Sequence, residues 1–269
     1  MPVLRIEAEG LTTSFRYPHF LVGRQPTFRM PPPATIYGHI CSAVGAFVDP
    51  SEVRFAYTFT HDGIVDDLEL LHMATIGTGR MPNDRTLPRN LDVTTNPVPR
   101  EVLLFPHLTL YLDAPLQFDR FAAAFREPRY AVVLGRSQDL MSYRRVDVVE
   151  LEQAEMAYFQ ATLLPWSYRS RTRAGVGVTM PRFIDPNDRR RVIWSPFVVL
   201  EDRARLANAA EAGETGKQFI TRAAPGERIW VDPMAPTFRA LQRAVVWHDF
   251  VGTREDGPHF LSPTGQNLG

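Results

Sequence analysis

The sequence predicts an α+β protein, and three observations predict it. Apolar residues alternate with polar ones in several short runs, the period of half-buried strands. Two segments instead carry apolar residues at helical spacing. Both helical segments fall in the first half, between strands, while the second half reads mainly as strands.

The first strand is VLRIEA at 3 to 8, where Leu4, Ile6 and Ala8 alternate with Arg5 and Glu7. A long loop follows at 11 to 29. It interleaves Arg16, Arg24 and Arg29 with Phe15, Tyr17, Phe20 and Phe28, a mixture that suits single-stranded nucleic acid. The same loop could equally fold its aromatics back over a sheet. Pro31, Pro32 and Pro33 then hold the chain extended. A helix is expected from about 34 to 47, with Ile36, Ile40, Ala43, Val44 and Phe47 on one stripe. Gly38 and Gly45 lie within it, where glycine costs about 1 kcal/mol against alanine, and this suggests close approach of a backbone or ligand. Arg29 stands at the mouth of that helix, where anions are favoured.

VRFAYTFT at 53 to 60 is the second strand. Residues 61 to 105 run from an apolar patch, LELLHMATI, into a stretch rich in Gly, Pro, Asn and Asp, read as a loop or protruding hairpin. HLTLYL at 107 to 112 is the third strand, residues 117 to 126 the second helix, and YAVVL at 130 to 134 a short fourth strand closed by Gly135. Strand, helix, strand, strand, helix, strand is the ferredoxin-like split unit. It hosts enzymes and RNA-binding modules alike, and the aromatic third-strand signature of the RNA-recognition motif is absent. The expected organisation is therefore this unit over 1–145, with an insertion at about 61–105, and a mainly β region over 146–269. Within the latter, VDVVEL, YFQATLLP, VIWSPFVVL and ERIWVD read as strands, 201 to 217 as a short helix, and FRALQRAVVWHDFV as either.

The 269 residues carry 30 basic and 30 acidic side chains, whereas a free-standing nucleic-acid binder is usually more basic. Lys217 is the only lysine, so 29 of the basic residues are arginine. Arginine suits bidentate phosphate contacts, although codon bias gives the same count. There is no charged-then-apolar start and no long apolar run, so neither a signal peptide nor a membrane span is expected. The single cysteine, Cys41, reads as a core thiol, and a chain that cannot form an internal disulfide fits the cytoplasm.

Charge gathers at 168 to 192, where seven arginines face only Asp185 and Asp188. On a strand, Arg169, Arg171 and Arg173 would form a comb at about 6.6 Å spacing, with Gly175 and Gly177 permitting close approach. A solvated, charged hairpin edge is the alternative. A second cluster, LGRSQDLMSYRR, holds Arg136, Ser137, Arg144 and Arg145. His248 and His259 lack the carboxylate or cysteine pattern of a metal site, and no cofactor is expected.

PTFRMPPPATIYGHICSAVG with a strand before it, and YAVVLGRSQDL about 90 residues later, resemble the Cas five family of CRISPR-associated proteins. The likeness covers residues 1 to 50 and 130 to 151. It implies a member of the RAMP superfamily: an RRM-like, ferredoxin-like palm with an inserted β-hairpin thumb, acting as a subunit of a type I Cascade, I-B-like. The resemblance further implies that the chain grips the 5′ handle of the CRISPR RNA. It would abut the Cas seven backbone subunit and the Cas eight large subunit, near the PAM of the target DNA, with no membrane involved. The expected RNA-binding residues are Arg16, Arg24, Arg29 and Gly38 around the helix mouth and Arg85 and Arg89 on the thumb. Arg136, Ser137, Arg144 and Arg145 follow the LGR turn, and Arg169, Arg171 and Arg173 lie in the basic stretch. Their expected role is phosphate neutralisation, with no catalytic residue.

Two other readings stay open. One branch of the family cleaves precursor RNA without metal, using a tyrosine, a lysine and a histidine. Here Tyr37, His39 and His107 are present, but the only lysine, Lys217, lies far along the chain and Pro106 rather than a lysine precedes His107, although two histidines could supply the base and the acid. The other reading is a structural adaptor whose arginines bind protein carboxylates.

Overall fold

The structure, a computed structural model, describes residues 1–20, 23–77, 79–87, 91–172, 175–188, 191–201, 204–207, 220–222 and 228–250. The first half runs β1 (Pro2–Gly10), β2 (Thr12–Thr13), α1 (Pro33–Val44), β3 (Arg54–Thr60), β4 (Gly63–Ile76), β5 (Leu91–Leu104), β6 (His107–Asp113) and α2 (Phe118–Arg126). The second half runs β7 (Met141–Glu150), β8 (Glu152–Ala154), β9 (Ala157–Phe159), β10 (Thr162–Pro165), β11 (Val176–Ile184), β12 (Val192–Leu200), β13 (Ala204–Ala207), β14 (Ile220–Arg222), β15 (Ile229–Asp232) and β16 (Arg243–Ala244). The architecture is α+β, with mostly antiparallel sheets and few helices.

A seven-stranded sheet in the order β11-β12-β10-β3-β6-β1-β7 is the frame of the molecule. Its β7-β1-β6-β3 portion is antiparallel throughout, with Ile6 opposite Leu110 on one side and Val146 on the other. Leu4, Ile6 and Ala8 of β1 and Leu108, Leu110 and Leu112 of β6 pack with α1 and α2 in the main core. Val3 and Tyr111 point the other way, into a smaller cluster with Val149 and Val245. A second sheet, β14-β13-β9-β16-β15-β8, covers that face. Burial on both faces explains why β6 is closed to solvent almost along its whole length.

α1 begins as its sequence dictates. Pro32 is extended and Pro33 occupies the first turn, where a missing N–H costs nothing. The helix ends earlier than expected because Gly45 caps it in the left-handed conformation, φ 80°. Phe47, read as the last residue of the apolar stripe, is therefore outside the helix and 65 % exposed. Ile36, Ile40 and Ala43 are buried as the spacing predicts. Cys41 is a buried thiol, and burial pushes its pKa up. α2 buries Phe121, Ala122 and Phe125, with Asp119 in its first turn and Arg126 in its last, both favourable to the helix dipole.

The fourth strand differs from expectation. Residues 130 to 134 are not a strand; Val133 makes only an isolated bridge to Leu140. The strand beside β1 is β7, which runs across residues 145 and 146. The LGR turn thus precedes the fourth strand instead of following it. Gly135 turns it with φ 104°, and a Cβ there would strike Thr13 Oγ1 at 2.5 Å. The expected helix at 201 to 217 is a strand where it is described, at 204 to 207, and FRALQRAVVWHDFV is extended or irregular up to Phe250. The inserted segment is a hairpin of two 14-residue strands, β4 and β5, joined to the body through β2.

Candidate nucleic-acid interface

The hairpin leaves the body through a dense knot of charge. Its local acidic stretch, with Asp66, Asp67 and Glu69 on β4, meets three arginines from three places in the sequence, and a fourth reaches Glu101 on β5. Arg24 sits 3.0 Å from Asp66 and 2.9 Å from Glu101. Arg29 reaches Glu101 at 4.0 Å. Arg100 pairs with Glu69 at 2.5 Å, and Arg136 reaches Glu69 at 2.6 Å and Asp67 at 3.3 Å. Burial pushes the Glu69 carboxyl up, but hydrogen bonds from Arg136 and Arg100 outweigh it and hold the carboxyl below its usual range. Behind them Asp139, wholly buried, accepts from the Arg136 backbone at 2.8 Å, from the Ser14 backbone at 3.2 Å and from the Thr12 hydroxyl at 3.0 Å. These contacts tie the LGR turn, β2 and the hairpin together.

This knot is where Arg136 lies. Its guanidinium is 12 % exposed and shared among Asp139, Glu69 and Asp67, so it is occupied by the protein's own carboxylates. Ser137 beside it is exposed, with its hydroxyl directed at Gln138 at 3.3 Å. Arg24 is likewise paired, though 55 % exposed. Arg29 keeps 36 % of its side chain exposed, and its Nη1 is buried with no hydrogen-bond partner among the described residues. Arg16 and Arg85 are exposed, and neither makes an ion pair among the described residues. Arg89 and Arg173 lie outside the described residues.

The arginine comb is also corrected. Pro165 ends β10, and Trp166–Ser170 forms a 3₁₀ turn, so Arg169 and Arg171 do not share a strand face. Arg171 lies 5.0 Å from the Tyr168 ring centroid, while Arg169 is exposed. The close approaches at Gly175 and Gly177 are internal: their Cβ positions face Val199 O at 2.6 Å and the Trp166 ring at 3.0 Å. Gly38, by contrast, is exposed on α1 with nothing within 4 Å of a would-be Cβ. Among the described residues, none uses the space that Gly38 leaves.

Arg144 and Arg145 are also on the surface. They lie on β7, the outer strand of the large sheet, with 63 % and 54 % of their side chains exposed. Among the described residues each has one ion-pair partner, Glu9 and Asp147 respectively, at 3.1 Å. The register between β1 and β7 shifts here: Glu7 faces Arg145 and Ala8 faces Tyr143, leaving Arg144 as the extra residue of a bulge. Arg126, in the last turn of α2, is exposed as well, and the sequence reading missed it. Its signal was available in principle, a basic residue in the last turn of a helix next to a strand end.

The histidines considered for RNA cleavage are placed very differently. His39 is buried, its Nδ1 donating to Val133 O at 2.9 Å. Its Nε2 lies 3.0 Å from the Tyr143 hydroxyl, and in the neutral ring, with the proton on Nδ1, it accepts there. Burial lowers its pKa. His107 is exposed on β6. Among the described residues no group of three His, Cys, Asp or Glu side chains is set to hold a metal ion, and no helix is long and apolar enough to cross a membrane.

No family model matches the chain, and no curated protein matches it. Solved structures do. A chain of a CRISPR RNA-guided surveillance complex is 17 % identical, with a TM-score of 0.46, covering 81 % of this chain and 95 % of its own. A CRISPR protein from Archaeoglobus fulgidus is 11 % identical, with a TM-score of 0.37, covering 83 % of this chain and all of its own. A chain of a type III-B Cmr-beta bound to cognate target RNA and AMPPnP is 10 % identical, with a TM-score of 0.39, covering 75 % of this chain and 84 % of its own.

Proposed function

We propose that the chain is a non-catalytic, Cas five-like subunit of a type I, I-B-like Cascade, holding the 5′ handle of the guide RNA. The observation that carries this reading is the hairpin. The strand order β7-β1-β6-β3, with α1 and α2 on one face, supports reading this portion as a ferredoxin-like palm. The two-strand insertion falls between its second and third strands, where the sequence resemblance expects a thumb. The ion-pair knot fixes that thumb to the palm, and rigid mounting is what positioning a flexible strand requires.

In this reading Arg16, Arg85, Arg144, Arg145 and Arg169 neutralise phosphates, while Arg24, Arg100 and Arg136 hold the thumb. Gly38 gives α1 a face that a neighbouring backbone can approach closely. The Cas seven backbone subunit and the Cas eight large subunit flank the chain in the cytoplasm, and target DNA is read by pairing with the guide. Arg24 and Arg136 each hold two or more carboxylates of this chain, which favours the adaptor reading for those residues.

The test is co-expression with a CRISPR array and the neighbouring subunits, followed by sequencing of the co-purified RNA. Guide RNAs sharing one 5′ end are expected; particles that assemble without RNA would sink the reading. Repeat RNA incubated with the purified chain in EDTA should stay intact. Cleavage abolished by His39→Ala or His107→Ala would replace the proposal with a metal-independent endoribonuclease.

A further inference from the structure

Trp166 opens the 3₁₀ turn Trp166–Ser170 between β10 and β11 and is 46 % exposed. Its indole rests on a gap in β11, the outer strand of the large sheet. A Cβ on Gly177 would lie 3.0 Å from Cζ3 and 3.3 Å from Cη2, and no third ring atom comes within 4 Å. Those two atoms are neighbours on one rim of the ring. The indole therefore stands edge-on over Gly177, and only a residue without a side chain lets it stand so close. Neither π-face is used in that contact. Among the described residues no ring or guanidinium stacks on Trp166.

The turn sets what stands beside the ring. A 3₁₀ helix has three residues per turn, so side chains three apart share one side. Tyr168 and Arg171 have that spacing, and the Arg171 guanidinium lies 5.0 Å from the Tyr168 ring centroid. Tyr168 is half-buried, its ring 6.0 Å from that of Phe159 on β9. Trp166 and Arg169 repeat the spacing on the outward side, and both are exposed. Arg169 makes no ion pair among the described residues. The sequence offers it no local partner, since no Asp or Glu occurs from 156 to 184.

A single exposed apolar residue is ordinary and needs no ligand. An indole with unused faces, on the same side of a turn as an unpaired arginine, offers more: a π-face for a base and a cation for its phosphate. An acidic peptide would satisfy Arg169 and leave the ring idle. An apolar protein surface would cover the ring and bury the arginine unpaired, which is costly.

We propose that Trp166 stacks one unpaired base of an RNA strand, with Arg169 on the adjacent phosphate. The site rests on the RNA-binding reading above and adds an aromatic contact that neither the helix mouth nor the hairpin contains.

The experiment uses the co-expressed complex. Its guide RNA is probed in the particle with a reagent that acylates the 2′-hydroxyls of mobile, unstacked nucleotides. Trp166→Ala should raise the reactivity of one or two adjacent nucleotides about tenfold, and Trp166→Phe, which keeps a π-face, should stay within about threefold of the parent. Phe47→Ala removes an aromatic ring exposed elsewhere and should change nothing. Ultraviolet cross-linking with mass mapping should find a cross-link at Trp166, and Arg169→Gln, which leaves the ring in place, should lower its yield about threefold. A thermal melt checks that Trp166→Ala folds; if it does not, Trp166→Leu, which fills similar space without a π-face, carries the same expectation. Any one of four results overturns the site and leaves the RNA-binding reading standing: retained RNA whose reactivity is unchanged in Trp166→Ala, equal effects in Trp166→Phe or Phe47→Ala, retained RNA with no cross-link at Trp166, or a cross-link yield unmoved by Arg169→Gln. Loss of a neighbouring subunit from the Trp166→Ala particle, with RNA reactivity unchanged, assigns the ring to a protein contact and overturns the site as well. Particles without RNA overturn both.

Discussion

Gly38 and Gly45 lie seven residues apart, and alanine should act on them in opposite directions. At Gly45, φ is 80° and a Cβ would run into the Arg129 side chain. Gly45→Ala should therefore cost about 1–2 kcal/mol. At Gly38 a Cβ meets nothing, so Gly38→Ala should stabilise the isolated chain by about 0.5–1 kcal/mol. Urea midpoints of both variants check the pair. A second prediction concerns His248, buried against Phe55, with Nε2 donating to Leu163 O at 3.0 Å. Burial pulls its pKa down to about 4. The unfolded chain, with an ordinary histidine near 6.5, then binds more protons between those values. Stability is fully present above about pH 6.5 and falls as the pH drops towards 4, by up to about 3 kcal/mol. Denaturation between pH 4 and 7 should show that loss, and His248→Gln should flatten it. His39 and His61 shift the same way, also through burial, so some slope should remain. At this scale the sequence was readable only for residues whose partners are local. The cost of glycine in α1 could be inferred from sequence, whereas the openness around Gly38 and the internal contacts of Gly175 and Gly177 depend on chains brought in from elsewhere.

The hairpin illustrates the same rule for elements. Its existence could be read from punctuation, since Gly, Pro, Asn and Asp cluster between two strand-like ends. Its anchoring could not, because the arginines at 24, 29, 100 and 136 meet acids far away in sequence or across the hairpin. The short apolar run YAVVL suggested a strand, while the true strand, MSYRRVDVVE, has its alternation broken by the bulge at Arg144. An extra residue shifts every later side chain to the other face, so the regular pattern is visible only from Val146 on. Glu69 joins Arg100 to Arg136, and Glu69→Gln should loosen the root without unfolding the palm. Hydrogen exchange is expected to speed up at least about tenfold in 63–76 and 91–104 and to stay unchanged in β1 and β6. Uniform acceleration across the chain would show that the knot supports the whole fold.

Across the whole molecule, the two large sheets are joined by a buried polar link. Asp232, wholly inaccessible, accepts from the Tyr111 hydroxyl at 2.7 Å and from Arg5 at 3.3 Å, and Arg243 donates to the same hydroxyl at 2.8 Å. Asp232→Ala leaves Arg5, 4 % exposed, without its buried counter-ion and should cost about 3–5 kcal/mol. Arg5→Met combined with Asp232→Leu should recover most of that loss, since apolar packing often replaces a buried ion pair; a double-mutant cycle measures the coupling. The alternation in β1 and β6 forecast the helix-facing core, yet nothing local marked Arg5 or Asp232 as partners 227 positions apart. The place of β1 inside the large sheet also governs how the chain is made. Its neighbours, β6 and β7, begin at residues 107 and 141. At about 5–20 residues per second the second of them leaves the ribosome roughly 7–26 s after Gly10. Throughout that interval Leu4, Ile6 and Ala8 have no native sheet to enter, and both backbone edges of the strand are bare. Folding is thus paced by closure of a loop longer than a hundred residues, and the nascent strand is the segment that a chaperone would have most reason to hold.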